Sequence, residues 1–166
     1  MDLENLSDAR RVPVQQRGAN RIEALLDAVG SIIDEEGLGG VSTTAAAYRS
    51  GSSVGVLYRY FPNVDALLRA LAQRNLAIYV EAIEKAPEMQ DPNNPPPWSF
   101  GNDVFVELCR KVPGFARLRF GDPLGGDFLE EGVSNNHVVA RTFADTVARL
   151  WGVPASDELV FHLTMS

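Results

Sequence analysis

Apolar residues recur at three- and four-residue steps along most of the chain, which is the spacing of one face of an α-helix. With serine, asparagine and glycine as start and stop signals, the pattern predicts helices at about 19–36, 45–50, 54–61, 64–86, 99–111, 114–120, 135–151 and from 156 onward. No stretch of useful length alternates with the period of a β-strand. The predicted fold class is therefore all-α.

Composition divides the chain into parts. Residues 1–17 are polar and aperiodic and are predicted to form a flexible arm. We expect residues 18–62 to form a first helical bundle and residues 63–166 a second helical domain, with a proline-rich break in composition at residues 88–97. The last predicted helix stops at Ser166 after about three turns, so we expect it to be incomplete.

The short helix predicted from Ser53 to Tyr60 has the size of a DNA-reading helix. At about 1.5 Å per residue it is about 12 Å long, which matches a major groove about 12 Å wide. Leu57 and Phe61 are four residues apart and are predicted to face inward. Gly55 is predicted to keep the outer face low. A helix-turn-helix is therefore the favoured architecture for this segment.

A set of ordered positions in this region carries a family resemblance. These positions are Ser42-Thr43-Thr44, Ala47, Ser50-Gly51, Ser53, Gly55, Leu57-Tyr58-Arg59-Tyr60-Phe61-Pro62 and Leu67. Through the order and spacing of these positions, residues 17–80 resemble the TetR-type (tetracycline-repressor-like) transcriptional regulators. A weaker likeness over residues 113–120 resembles the ligand-binding half of some members. The resemblance implies an N-terminal helix-turn-helix bundle followed by a helical domain for effector binding and dimerisation.

The resemblance also implies which residues contact double-stranded operator DNA. The implied DNA-binding residues are Thr43, Thr44, Ser53, Val54, Gly55, Val56, Tyr58 and Arg59. Thr43 is implied to meet the backbone, whereas Tyr58 and Arg59 are implied to reach phosphates or bases. Val64 departs from the family pattern, because a lysine commonly reaches the phosphate from this position. We therefore expect one charge contact fewer and a shallower salt dependence.

A homodimer that responds to a small-molecule effector is implied as well. An effector that binds better to a splayed dimer would lower DNA affinity by the same coupling factor, and repression is the usual outcome in the family. The candidate pocket residues are Phe105, Cys109, Phe115, Phe120, Arg141 and Thr142. Ordinary core packing is the alternative for each of them. Arg141 in particular could instead face an acidic partner or the solvent.

Charge is distributed unevenly along the chain. The formal net charge is -7, which as a single number argues against DNA binding. Residues 10–80, however, carry eight arginines and six acidic residues, so that this part is +2 and the remainder is -9. The positive part is the part that resembles a DNA reader.

Other classes of function find little support. No P-loop and no HExxH motif occurs, so we predict no catalytic residues and no enzyme. Two histidines and a single cysteine predict no metal site, and no cofactor is implied. The lack of a signal peptide or membrane-spanning segment favours the cytoplasm. A helical interaction or ligand-binding module that has lost DNA binding remains the alternative, favoured by Val64 and the acidic total.

Overall fold

The computed structural model describes residues 14–85, 100–118, 135–152, 154–158 and 160. Its helices are α1 (Val14–Glu36), α2 (Thr43–Arg49), α3 (Val54–Tyr60), α4 (Val64–Lys85), α5 (Phe100–Lys111) and α6 (Asn135–Trp151). A short 3-10 turn, Leu38–Gly40, joins α1 to α2. The described residues contain no strand. The predicted all-α fold class is confirmed.

The first helix begins earlier than predicted. Residues 14–17 are helical, although the sequence pattern assigned them to a flexible arm. Pro13 precedes them in the sequence, and a proline is compatible with a helix start because the first N–H groups have no acceptor within the helix. At the other end, Gly37 has a φ of 77° and its N–H donates to the Ile33 carbonyl at 2.9 Å. This left-handed glycine ends α1 where the sequence predicted.

Polar side chains cap the three helices that follow. The Ser42 Oγ accepts a hydrogen bond from the Ala45 N–H at 3.1 Å, and the Ser53 Oγ accepts one from the Val56 N–H at 3.2 Å. Asn63 does the same for α4 at 2.8 Å. Each cap satisfies a backbone donor that has no partner within its helix. These local bonds determine where α2, α3 and α4 begin.

The first four helices pack around one hydrophobic core. Its buried residues are Leu25, Leu26, Val29, Ile32, Ile33, Val41, Ala46, Ala47, Leu57, Phe61, Leu67, Leu68, Leu71, Ala72 and Leu118. We call residues 14–72 the N-terminal head, because nearly all of this core lies within them. Leu118 is the exception, since it comes from the turn that follows α5. The head therefore uses one distal residue to complete its core.

The rest of the described chain, residues 73–160, is called the distal part below. Here α4 lies against α5 and α6, so one continuous helix runs through both regions. The Phe100 and Phe143 rings stack with centroids 5.0 Å apart. The buried residues form two small clusters, made of Ile83, Phe100 and Val147 and of Ala140, Ala144 and Val160. The described distal helices therefore share no single large core.

The helix predicted at 114–120 is wrong over residues 114–118, which form consecutive turns, and its last two residues lie outside the described chain. Gly114 has a φ of 76°, and its N–H donates to the Asp34 Oδ2 at 2.8 Å. A Cβ placed on Gly30 of α1 would lie only 2.3 Å from the Pro113 carbonyl oxygen. The turn is pressed against α1, and this tertiary contact replaces the helix that periodicity predicted.

Candidate nucleic-acid interface

Small and apolar side chains fix α2 and α3 to the head. Leu57 is fully buried and Phe61 is nearly so, and both belong to the core. Ala46 and Ala47 of α2 are also buried. Because alanine is small, α2 can approach its neighbours closely. Both short helices are thereby held on the core by one face while the opposite face is left exposed.

The exposed face carries the residues predicted to bind DNA. Six of the eight are exposed, namely Thr44, Ser53, Val54, Gly55, Tyr58 and Arg59. Thr43 and Val56 are half-buried. The Thr43 Oγ1 lies 3.3 Å from the Tyr58 Oη, within hydrogen-bonding distance. The structure therefore joins the start of α2 to the middle of α3 through two of the predicted residues.

Gly55 has open space above it. A Cβ at this position would meet no heavy atom within 4 Å. Glycine in a helix costs roughly 0.5–1 kcal/mol relative to alanine, and here no contact within the described chain requires it. Because glycine has no side chain, nothing projects from the outer surface of α3 at this position near the start of the helix.

The arginines near this face differ in their partners. Arg49 donates to the Glu35 Oε2 at 2.6 Å, and this hydrogen bond lowers the pKa of Glu35 below its usual value. Arg59 is exposed and forms no ion pair with any other described residue. Arg49 is thus used to tie α2 to α1, whereas Arg59 presents an uncompensated positive charge beside Tyr58.

Tyr48 was missed at the level of sequence. Its side chain is 88% exposed, and it lies four residues after Thr44, on the same face of α2. A signal was available, because the two preceding positions are the alanines that face the core. An aromatic residue that follows two buried positions in such a short helix must point outward. Tyr48 extends the exposed face along α2.

The segment from Gly51 to Gly55 has the spacing of a GxSxG nucleophile motif, but its context is different. A nucleophile elbow needs a strand before the serine and a helix after it. Here the segment follows helix α2, and the Ser53 hydroxyl is an N-cap that accepts from Val56. The serine has a structural role in starting α3.

The described candidate effector residues lie on α5, on the turn that follows it and on α6. Phe105 and Phe115 pack together with a centroid distance of 5.5 Å, and both contact Tyr79, at 5.9 and 6.4 Å. Phe115 is buried, whereas Phe105 and Cys109 on α5 are half-buried. Phe120 lies outside the described residues. We call Tyr79, Phe105 and Phe115 the aromatic cluster.

Arg141 lies at the surface of α6. It donates to the Asp157 Oδ1 at 3.0 Å and lies 3.6 Å from the Asp145 Oδ1. Its neighbours are therefore acidic residues, which was one of the alternatives that the sequence allowed for Arg141. This places its guanidinium in an exposed ion-pair network.

An open cavity of about 490 Å³ lies between the end of α4 and α6. Its lining residues are Glu84, Lys85, Thr142, Asp145, Thr146 and Arg149. Thr142 is the one lining residue among the predicted set. The Arg149 Nη2 already donates to the Glu84 carbonyl at 2.9 Å. The cavity is polar, in contrast to the mostly aromatic pocket that the candidate residues implied.

The described residues also bear on membrane insertion and on metal binding. None of the described helices is long and apolar enough to cross a membrane. Among the same residues, no group of three or more histidine, cysteine, aspartate or glutamate side chains could hold a metal ion.

Comparisons with known proteins agree with this geometry. Residues 102–166 match the family described as "Tetracyclin repressor-like, C-terminal domain". The chain is 29% identical over 116 residues to the nucleoid occlusion factor SlmA of Haemophilus ducreyi, covering 67% of this chain and 53% of that protein. The chain thus spans about half the length of this curated relative. A crystal structure of a TetR-family transcriptional regulator from Streptomyces coelicolor has a TM-score of 0.64 and 27% identity, covering 87% of this chain and 77% of that chain.

Proposed function

We propose that this chain, which is a TetR-type transcriptional regulator by fold and sequence, binds double-stranded operator DNA through the exposed face of α2 and α3. The family assignment has support from both ends of the chain. The ordered motif lies in residues 17–80, whereas the family match covers residues 102–166. Regulators of this family bind DNA and typically act as dimers. What this chain binds, and how it responds, is our proposal.

The observation that carries the proposal is the shared exposure of the predicted contact residues on one anchored surface. α3 is held by Leu57, and its start is left low by Gly55. Tyr58 offers a hydroxyl and Arg59 offers an unpaired guanidinium, which are groups that bind phosphate and base edges. The Tyr58 hydroxyl lies within hydrogen-bonding distance of Thr43, which is also a predicted contact residue, and Arg59 has no ion-pair partner among the described residues. The positive charge of this surface is therefore available to an external polyanion.

Dimerisation completes the proposed DNA contact. One α3, with seven residues and a length of about 10 Å, covers a single major groove. Two copies held about 34–36 Å apart reach successive grooves on one side of the duplex. We propose a homodimer for this reason. Residues 10–80, which carry +2, then face the DNA, while the rest of the chain, which carries -9, is kept away from it.

Effector response is the second half of the proposal. α4 begins beside the DNA-facing surface at Val64 and ends in the distal part at Lys85. A small molecule that binds distally and favours another orientation of α4 changes the spacing of the two heads, and DNA affinity falls with it. We propose a cytoplasmic repressor without catalytic activity that is released from its operator in this way.

Fluorescence anisotropy tests the DNA-binding step. The probe is a labelled duplex taken from the DNA upstream of the protein's own coding region, compared with a shuffled duplex of the same composition. Arg59→Ala is expected to lower affinity by about 10- to 100-fold, since each subunit of the dimer loses a charge-assisted contact. For this variant, the slope of log affinity against log salt concentration should become shallower by about 2, because two phosphate contacts per dimer are lost.

Arg110→Ala is the matched control. Arg110 is an exposed arginine on α5, so this variant removes the same charge from the distal part. We expect unchanged DNA affinity for Arg110→Ala and an unchanged melting temperature for both variants. Wild-type affinity that is indifferent to sequence and to salt would contradict the proposal. It would favour the alternative, a helical interaction or ligand-binding module that has lost DNA binding. Val64 in place of lysine and the acidic net charge support that alternative.

A further inference from the structure

Asn75 is a buried polar residue whose side-chain amide has no hydrogen-bond partner among the described residues. It lies on α4 and is fully buried, yet neither its Oδ1 nor its Nδ2 has a hydrogen-bond partner in the described structure. An unpaired buried amide is costly, and native proteins contain few of them. A leucine, which has a similar branched shape, would avoid this cost. A hydrogen-bonding partner other than the described residues would remove this cost.

The surroundings of Asn75 divide into a closed side and an open side. One turn earlier on the same helical face, Leu71 belongs to the core of the head. One turn later, Tyr79 belongs to the aromatic cluster. Tyr79 and Phe105 are only half-buried. The amide thus lies between the filled core of the head and the aromatic cluster, which is partly exposed.

The Tyr79 hydroxyl and the charge of Arg74, beside the aromatic cluster, are already paired. The Tyr79 hydroxyl donates to the Gly101 carbonyl at 3.2 Å. Arg74, next to Asn75, is paired through its Nη1 with Asp27 at 2.7 Å and with Glu23 at 3.4 Å, so its charge is compensated, although its Nε and Nη2 have no hydrogen-bond partner among the described residues. An ion placed here would lose its hydration without gaining a free counter-charge. An uncharged group does not have this penalty.

We propose that Asn75 is the polar anchor of a binding site for an uncharged, mainly aromatic small molecule that carries a hydrogen-bond donor and acceptor side by side, as a carboxamide does. The side-chain amide of asparagine offers two donors and an acceptor oxygen, which pair with such a group in two parallel hydrogen bonds. The rings of Tyr79, Phe105 and Phe115 cover the apolar part of the molecule. The inference rests on the proposed effector response and names the chemical class of the effector.

Three probes of nearly the same shape test this class on the full chain without DNA. Benzamide is neutral and has both a donor and an acceptor, benzoate is its charged counterpart, and toluene has no polar group. Binding is measured by ligand-observed NMR titration, and the melting temperature of the ligand-free protein is recorded separately. We expect saturable binding of benzamide at millimolar concentration and at least about tenfold weaker binding of benzoate.

Asn75→Leu is the decisive variant. This variant is expected to bind benzamide about tenfold more weakly and to bind toluene equally well or better, because only the paired hydrogen bonds are lost. It should also raise the melting temperature by roughly 2–4 °C, because the unsatisfied amide is gone. Thr146→Val is the matched control, since it removes another buried polar group outside the aromatic cluster. Benzamide binding should not change in that control.

Several outcomes overturn the proposal. They are the absence of saturable benzamide binding, equal binding by wild type and Asn75→Leu, and a folded Asn75→Leu protein of lower melting temperature, which would mean that the amide is satisfied internally. Should Asn75→Leu not fold, Asn75→Ala removes the amide without adding volume and is read in the same titration. The DNA assay is independent, so loss of DNA binding with intact benzamide binding contradicts only the proposed regulator.

Discussion

The N-terminal head and the distal part are built differently. The head has one continuous core, and its short helices are anchored by fully buried residues such as Leu57 and Ala46. The described distal helices have small separate clusters, half-buried aromatic rings and the unsatisfied amide of Asn75. The head therefore packs around one core, which Leu118 of the distal part completes. Among the described residues, the distal part is instead held by smaller contacts between helices.

The two regions are joined at a specific place. The turn after α5 lies against α1, where Gly30 faces Pro113 and Asp34 accepts from the Gly114 N–H. Leu118 of the same turn completes the core of the head. Together with the continuous helix α4, this contact lets a change in the distal part reach the head. We call it the α1–turn junction.

The largest expected effect comes from breaking this junction with Gly30→Ala. The added Cβ would lie 2.3 Å from a backbone oxygen of Pro113, so the turn must move away. Because backbone atoms cannot give way as a flexible side chain does, we expect a loss of about 3 kcal/mol in the free energy of unfolding, measured by urea denaturation.

Gly39→Ala is the control for this substitution. A Cβ there would meet no heavy atom within 4 Å, and Gly39 lies outside the junction. Its free energy of unfolding should stay within about 0.5 kcal/mol of wild type. A loss below about 1 kcal/mol for Gly30→Ala would mean that the head and the turn are not in close contact in solution.

A smaller effect of opposite sign is expected for Gly55→Ala within the head. The substitution removes a helical glycine where nothing within 4 Å opposes a Cβ. It should raise the free energy of unfolding by up to about 1 kcal/mol. DNA affinity should fall severalfold, because the new methyl group occupies the low surface of α3. Unfolding and anisotropy measurements together check this, and unchanged or improved affinity would show that α3 does not approach DNA at Gly55.

The smallest expected effect concerns pH and separates a bond between helices from one within a helix. The hydrogen bond from Arg49 lowers the pKa of Glu35 and joins α2 to α1, whereas the hydrogen bond from Lys111 lowers the pKa of Glu107 within α5. A carboxyl with a lowered pKa in the folded state stabilises the fold above its unfolded pKa, and this contribution disappears as pH falls through the lowered value. Both contributions are small because the pairs are exposed.

Carboxyl titration by NMR checks this comparison. Arg49→Gln should return the pKa of Glu35 towards its usual value, and Lys111→Gln should do the same for Glu107. Faster amide hydrogen exchange in α2 is expected only for Arg49→Gln, since only that pair holds two helices together. If the Glu35 titration did not respond to Arg49→Gln, the tie between α2 and α1 would not form in solution.

The sequence predicted α1 to α6 closely in both regions, apart from the earlier start of α1, and failed at the turn after α5. Caps at Ser42 and Ser53 and the stop at Gly37 act on neighbouring residues, so they were readable as local patterns. The helix predicted at 114–120 failed over residues 114–118 because that segment is bound to α1, about eighty residues away in the chain. Asn75 also escaped notice, since one polar residue in an apolar stripe does not reveal whether it is satisfied.

Periodicity and capping were enough to predict the all-α class and the short helices of the head, because the forces involved act within one or two helical turns. The family resemblance rests instead on the ordered motif in residues 17–80. The close approach of Gly30 to Pro113, the pairing of Arg141 with Asp157 and the isolation of the Asn75 amide depend on contacts between distant segments. Only the packed chain decides which polar groups find partners in such contacts. Burial removes water as the alternative partner, and this is why the unsatisfied positions are visible in the tertiary structure alone.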